Sequence, residues 1–169
     1  MVAAISLSTL TLRIDDVLPL LAYWWMAAVG IVLGVVDLAV HRLPDRLTAL
    51  LAVGAGAALT AQTVITHDAG RLTEALASGF GAAFLYLSAA LLTAGGIGIG
   101  DAKLAFSLGL TVGWTGWPAV LFATALALML TGITAVALLA LKRAYCRDAI
   151  PHGPFMVFAA AATIGLAAT

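Results

Sequence analysis

Long apolar runs, separated by short polar or glycine-rich breaks, extend along most of the chain. They predict helices at about Leu18 to Val40, Leu47 to Thr66, Leu72 to Thr93, Ala102 to Val112, Ala119 to Leu141 and Pro154 to Ala168. A transmembrane helix needs about 20 mostly apolar residues, a length that all but the fourth and sixth runs reach. The pattern therefore predicts an all-α, polytopic integral membrane protein with about six transmembrane helices. Residues 1–169 are expected to form one domain.

Two local features refine this helical pattern. Pro44 interrupts segment 41–46, because proline lacks an amide donor and disfavours a helical conformation in the residue before it. The small residues between positions 78 and 83 predict that helix three packs closely against a neighbour. The short helices four and six are expected to pair with each other.

Composition supports a membrane location and excludes several classes of function. Hydrophobic residues make up 63% of the chain and charged residues 9%, too little polar surface for a water-soluble fold. The eight basic and eight acidic residues are scattered, which argues against a nucleic-acid surface. No removable signal peptide is predicted. The single cysteine, Cys146, has neither a disulfide partner nor a metal-binding pattern, and no metal or cofactor is expected.

The distribution of lysine and arginine predicts an orientation in the membrane. With the N-terminus outside, the basic residues on the cytoplasmic side are Arg42, Arg46, Lys103, Lys142, Arg143 and Arg147. Only Arg13 and Arg71 then lie on the outer side. This threading places the end of helix one and the start of helix four together on the cytoplasmic side.

Two isolated carboxylates are therefore expected to lie on the same side of the membrane. Asp37 lies inside the apolar part of helix one, where a carboxylate costs about 2.5 to 3.5 kcal/mol on insertion scales, so it predicts a functional site. Asp101 opens helix four, where it is either a functional group or a helix cap. Two neighbouring carboxylates share a proton, which suits them to activate water and protonate an oxyanion. Asp37 and Asp101 are the candidate catalytic residues.

The residues around Asp101 are candidates for substrate binding. Four glycines precede Asp101, namely Gly95, Gly96, Gly98 and Gly100. Inside a helix each glycine costs about 1 kcal/mol relative to alanine. They predict a loop with positive φ angles and an open backbone edge for an extended substrate, although a plain turn is the alternative. No Walker lysine-threonine pair follows, which excludes a phosphate loop. Lys103 either acts on an acidic group of the site or substrate, or extends to the membrane interface.

Three segments resemble one known family. Segment 98–104, Gly-Ile-Gly-Asp-Ala-Lys-Leu, resembles the GxGD segment of type IV prepilin peptidases and archaeal preflagellin peptidases. Segment 37–48 is similar to the family's other aspartate segment, in which a catalytic Asp precedes a proline and a leucine-threonine pair. Segment 151–155, Pro-His-Gly-Pro-Phe, is similar to the family's Pro-x-Gly-Pro-Phe run.

This resemblance implies an intramembrane aspartic endopeptidase in which Asp37 and Asp101 are catalytic. It implies cleavage of a short leader from pilin-like or preflagellin-like precursors, at the cytoplasmic face of the cell (inner) membrane. Gly98, Gly100 and Lys103 become the substrate-binding candidates. The family's N-terminal extension with paired CxxC cysteines has no counterpart in the sequence. Cleavage without N-methylation, and without zinc, is therefore expected.

Other functions and roles remain alternatives. The chain could be a small transporter or channel subunit whose aspartates bind a proton or cation beside a glycine-broken helix, although no internal repeat supports this. A non-catalytic pilus assembly protein is the third alternative. Asp45 is predicted to cap helix two. His41 and His152 are predicted to be solvated or hydrogen-bonded in loops.

Overall fold

The computed structural model describes residues 17–40, 43–92, 98–141 and 151–167. Within these ranges all regular secondary structure is helical. The helices are α1 (Val17–Val40), α2 (Asp45–Thr66), α3 (Ala69–Leu92), α4 (Ile99–Gly113), α5 (Trp117–Ala140) and α6 (Gly153–Ala167). Every predicted boundary lies within three residues of the observed one, and the all-α prediction is confirmed.

The helical surface is that of a multi-pass membrane protein. Helices α1, α2, α3 and α5 are each long and apolar enough to cross a membrane, and α6 is a shorter apolar helix. Large apolar side chains point outward, as at Phe84, Leu91 and Leu92, which are between 73% and 86% exposed. Such an exterior is unfavourable in water and suits contact with lipid.

Helix α4 is the most enclosed element, with almost every residue buried from Ala102 to its end. It packs most extensively on α3 and next on α2, and its contact with α6 is smaller. Helix α6 packs more extensively on α5 and α1, so helices four and six touch but are not each other's main partners. The α3–α4 contact is made by a small-residue seam, which comprises Ser78, Gly79, Ala82, Gly109 and Gly113. A Cβ atom placed on Gly109 would lie 3.0 Å from the Cα of Gly79. The predicted close packing of helix three is thus confirmed.

Helix α6 lies against α1 through a second close contact. A Cβ atom on Gly30 would lie 2.8 Å from Val157 Cγ1, and one on Gly34 would lie 3.6 Å from the Cα of Pro154. Gly30, Gly34 and Asp37 follow each other at helical spacing on one face of α1. The two glycines therefore allow α6 to approach the face that also holds Asp37.

Contacts between helix ends define the two ends of the bundle. The site end is where the ends of α1, α3 and α5 meet the starts of α2, α4 and α6. Polar contacts there join Asp37 to Gly153 and Lys103 to Asp45. At the far end, Glu74 Oε1 accepts a hydrogen bond of 3.0 Å from the backbone N–H of Trp117. That carboxylate satisfies one of the amides left open at the start of α5.

Several residues singled out in the sequence lie outside the described residues. They are Arg13, His41, Arg42, Gly95, Gly96, Lys142, Arg143, Cys146 and Arg147. Most of the basic residues that predicted the orientation belong to this group, so the orientation stays a prediction.

Candidate active site

Asp37 is a buried carboxylate held by the start of another helix. It lies in the last turn of α1 and is 5% exposed. Its Oδ2 accepts a hydrogen bond of 3.0 Å from the backbone N–H of Gly153, the first residue of α6. A Cβ atom on Gly153 would lie 2.8 Å from this oxygen, so only glycine leaves room for the contact. The free amides and dipole at the start of α6 favour a negative charge on Asp37.

Asp101 lies in the first turn of α4 and closes that turn with its own side chain. Its Oδ2 accepts a hydrogen bond of 2.9 Å from the backbone N–H of Gly98, and its N–H donates to the Gly98 carbonyl at 3.0 Å. The helix-cap alternative is therefore observed. A carboxylate has about four acceptor positions, so the cap bond from Gly98 uses only part of the hydrogen-bonding capacity of Asp101. The side chain is half-buried and lies at the site end.

The predicted loop ends earlier than expected. Gly98 lies outside α4 as its N-cap residue, whereas Gly100 lies in the first turn of the helix, and the predicted positive φ angle is wrong at Gly98. Gly98 has an ordinary extended conformation, with φ −86° and ψ 153°, and α4 already begins at Ile99. The reciprocal bonds between Gly98 and Asp101 offset the low helix propensity of glycine. Gly100 instead allows a close approach, because a Cβ atom there would lie 3.2 Å from the Cβ of Leu43. This contact holds the start of α4 against the connection that follows α1.

Lys103 forms an ion pair with Asp45. The Nζ atom lies 2.6 Å from Asp45 Oδ1, and both side chains are largely exposed. The prediction that Asp45 caps helix two is wrong, because Pro44 is the N-cap residue and no side-chain cap bond forms. An exposed pair of this kind contributes at most about 1 kcal/mol. Lys103 and Asp45 therefore place two charges beside the start of α4 without adding much stability.

A groove of about 750 Å³ lies between α2, α3 and α4 and reaches the Lys103–Asp45 pair. Its lining is mostly apolar: Thr48, Ala49, Ala52, Phe80, Ala83, Phe84, Leu87, Ile99, Ala102, Phe106 and Ser107 complete it. Ile99 and Ala102 lie within two residues of Asp101 in the sequence. The groove thus extends from the outer surface of the bundle to the turn that holds one of the two aspartates.

Comparison with known proteins identifies the family. The model of the type IV leader peptidase family matches residues 20–136, more than half of the chain. The chain belongs to the type IV leader peptidase family. No curated protein and no solved structure matches it. The matched range includes both aspartates of this leader peptidase, and membership of the family makes the protein a peptidase.

Both aspartates of the leader peptidase lie at the site end, on α1 and α4, and these two helices contact each other. The contact between Gly100 and Leu43 brings the start of α4 beside the segment that follows Asp37. Their catalytic role, and the substrate-binding role of Gly98, Gly100 and Lys103, stay predictions.

Sequence reasoning missed a buried polar cluster beside this site. His152 is hydrogen-bonded, as one of the predicted alternatives has it, but it is 5% exposed and therefore not solvated. Its ring contacts Tyr86 of α3 and Thr131 of α5. A tyrosine inside an apolar helix needs a partner for its hydroxyl when buried, and this was the available signal for Tyr86. No local pattern in the sequence indicates which residue that partner is.

Proposed function

We propose that this leader peptidase is an intramembrane aspartic endopeptidase in which Asp37 and Asp101 together activate water. One observation supports the proposal most. Two carboxylates from different helices lie at the same end of the bundle, and each accepts a backbone N–H from a glycine at a helix start, Gly153 and Gly98. These backbone bonds fix each carboxyl group through one oxygen.

The reaction needs one ionised and one protonated carboxyl group. The ionised group takes a proton from a water molecule as the water oxygen attacks the peptide carbonyl carbon. The protonated group donates its proton to the carbonyl oxygen, which gives a neutral tetrahedral intermediate. When that intermediate collapses, the C–N bond breaks and a proton passes to the leaving amine. The pair titrates as a unit, so neither role belongs to one residue alone.

We propose pilin-like or preflagellin-like precursors as substrates. The three segments that resemble prepilin peptidases support this class, and so does the apolar groove beside α4. An apolar substrate helix would lie in the groove, with its cleavage site at the start of α4 and its flanking charges near Lys103 and Asp45. The distribution of basic residues supports a cell-membrane location with the site end facing the cytoplasm.

Co-expression with a pilin-like precursor tests the proposal. Asp37→Asn and Asp101→Asn keep an oxygen that accepts the glycine N–H but lose the proton chemistry, so each is expected to abolish leader removal. Asp68→Asn is the matched control, because Asp68 lies before α3 at the far end, where its exposed side chain pairs with Arg71 and accepts the backbone N–H of Gly70. The asparagine oxygen can still accept that N–H. Processing by either active-site variant at the wild-type rate, scored by gel mobility and N-terminal sequencing, would contradict the proposal.

A further inference from the structure

The buried cluster around His152 is a continuous chain of hydrogen bonds across three helices. Tyr86 Oη lies 3.0 Å from His152 Nε2, and Thr131 Oγ1 lies 2.6 Å from His152 Nδ1. Thr131 Oγ1 also donates to the carbonyl oxygen of Ala127 at 2.9 Å. Tyr86 is 3% exposed. The chain thus joins α3 and α5 to the residue that precedes α6, inside an otherwise apolar bundle.

One arrangement of protons satisfies all three contacts when the imidazole is neutral. Thr131 has a single hydroxyl proton, and its bond to Ala127 uses it. His152 Nδ1 must then carry hydrogen and donate to Thr131, which leaves Nε2 as the acceptor for the Tyr86 hydroxyl. With the other neutral tautomer, one of the bonds made by Thr131 would be lost. The direction of the chain is therefore fixed from Tyr86 to Ala127.

The hydrogen-bonded chain lies next to the helix start that holds Asp37 and to the helix that contains Asp101. His152 is the residue before Gly153, and its carbonyl accepts the N–H groups of Phe155 and Met156 at 3.1 and 3.2 Å. It therefore fixes the first turn of α6, whose Gly153 N–H holds Asp37. At the other end of the hydrogen-bonded chain, Tyr86 lines a small cavity together with Ala105 and Met156.

The Tyr86 end of the chain connects to the second aspartate through α4. Ala105 lies one helical turn after Asp101, so Tyr86 shares a cavity with the stretch of α4 that begins with this aspartate. The hydrogen-bonded chain thereby links the helix start that anchors Asp37 to the helix that contains Asp101.

We propose that His152 is a positioning residue, which with Tyr86 and Thr131 sets the start of α6, and with it the Asp37 carboxylate, relative to Asp101. The inference rests on the proposed function and deepens it. His152 occupies the variable position of the Pro-x-Gly-Pro-Phe run. The hydrogen bonds of its ring are therefore a feature of this protein and not of the run itself. It acts through Gly153, whose N–H holds the Asp37 carboxylate.

Steady-state cleavage of a precursor peptide by the purified enzyme tests the role. Misplacement of about 1 Å can cost about 100-fold in rate, so His152→Phe is expected to lower kcat by about 30-fold. Tyr86→Phe removes one bond, whereas Thr131→Val removes two, to His152 and to Ala127. Each variant is expected to lower kcat by about 3- to 10-fold. KM should stay within about twofold of wild type, because substrate contacts are unchanged. His152→Gln places an amide oxygen where it accepts from Tyr86, and should recover most of the rate.

Two further readouts separate positioning from general destabilisation. Tyr86→Phe should have no additional effect in the His152→Phe background, because the bond that it removes is already absent. Hydrogen exchange of a peptide that contains Gly153 should be faster in Tyr86→Phe and His152→Phe. Tyr23→Phe and Thr163→Val are matched controls: Tyr23 is equally buried near the far end, and Thr163 donates to Ala159 in the second half of α6. Neither should change kcat or this exchange.

The outcomes distinguish the network from the proposed function. Unchanged kcat and exchange in Tyr86→Phe would overturn the inference, and so would a raised KM at constant kcat. If the wild type cleaves no precursor, the proposed function fails. Hydrogen exchange at Gly153 then still tests the positioning role of the hydrogen-bond network. Faster exchange confined to the network variants supports this role, and equal exchange in network and control variants overturns it.

Discussion

Two regions of the bundle bring helices together by different means. In the small-residue seam, α3 and α4 meet because Ser78, Gly79, Ala82, Gly109 and Gly113 have little or no side chain. The seam makes no polar bonds through its side chains, and Ser78 Oγ is buried without a hydrogen-bond partner. At the site end, the start of α6 is held by directed hydrogen bonds to Asp37, Tyr86 and Thr131. The difference indicates that the seam mainly stabilises the fold, whereas the contacts at the site end mainly position the start of α6 and the Asp37 carboxylate.

The largest effect on folding is expected from filling the seam. Gly109→Val places a branched side chain where even a Cβ atom lies 3.0 Å from the Cα of Gly79 and 3.1 Å from the carbonyl oxygen of Ser78. Overpacking of this kind typically costs about 1 to 3 kcal/mol, and backbone contacts place the cost at the upper end. Thermal unfolding in detergent should show a large fall in Tm. Gly132→Val is the control, since a Cβ atom there meets nothing within 4 Å.

Adding a Cβ atom at the site end should lower kcat more than stability, which is the reverse of the effect expected at the seam. Gly153→Ala introduces a methyl group 2.8 Å from Asp37 Oδ2, so the carboxylate must move. We expect kcat to fall by about 10- to 100-fold with a smaller change in Tm than for Gly109→Val. Cleavage kinetics and thermal unfolding of the same preparations measure both. A loss of stability equal to that of Gly109→Val would remove the distinction between the regions.

The sequence predicted the seam and the helices better than the site end. Apolar runs fix helix positions because a membrane helix must satisfy its backbone internally, and small residues show where helices approach. The predicted start of α4, at Ala102, lies three residues after the observed start at Ile99, because the bonds between Gly98 and Asp101 outweigh the low helix propensity of glycine. The Lys103–Asp45 pair and the Tyr86–His152 bond join residues 58 and 66 positions apart. Such contacts depend on the tertiary arrangement and have no local signal.

Acidification should weaken the site end in particular. Burial lowers the pKa of His152 below its ordinary 6.5, although the Asp37 carboxylate opposes the shift. The unfolded chain therefore binds a proton at this residue more readily than the folded protein does. The contribution of His152 to stability is complete above pH 6.5 and is lost as the pH falls through the folded-state pKa.

His152→Gln removes this titration, while Asp37 and Asp101 titrate in both proteins. Between about pH 7 and pH 5, the Tm of the wild type should thus fall further than that of His152→Gln. Thermal unfolding at matched salt measures the difference. Parallel profiles of Tm against pH in the two proteins would contradict a lowered pKa of His152 in the folded protein.

The smallest effect is expected from removing the unpaired hydroxyl of the seam. Ser78→Ala deletes a buried oxygen that makes no hydrogen bond, so stability should change by less than about 0.5 kcal/mol or increase slightly. Thr131→Val, which deletes a bonded hydroxyl, serves as the contrast. A clear loss of stability in Ser78→Ala, measured by thermal unfolding, would mean that the seam also depends on polar contacts.

The most direct test of the aspartic mechanism is the kinetics of purified Asp37→Asn, Asp101→Asn and the double variant on a precursor peptide. If the carboxyl groups act as one unit, each single variant should lose at least about a thousandfold in kcat. The double variant should then lose little more than the worse single variant. The three proteins should keep the wild-type Tm to within a few degrees. A single variant that retains more than about a tenth of the wild-type kcat, or losses that multiply in the double variant, would contradict the shared role of Asp37 and Asp101.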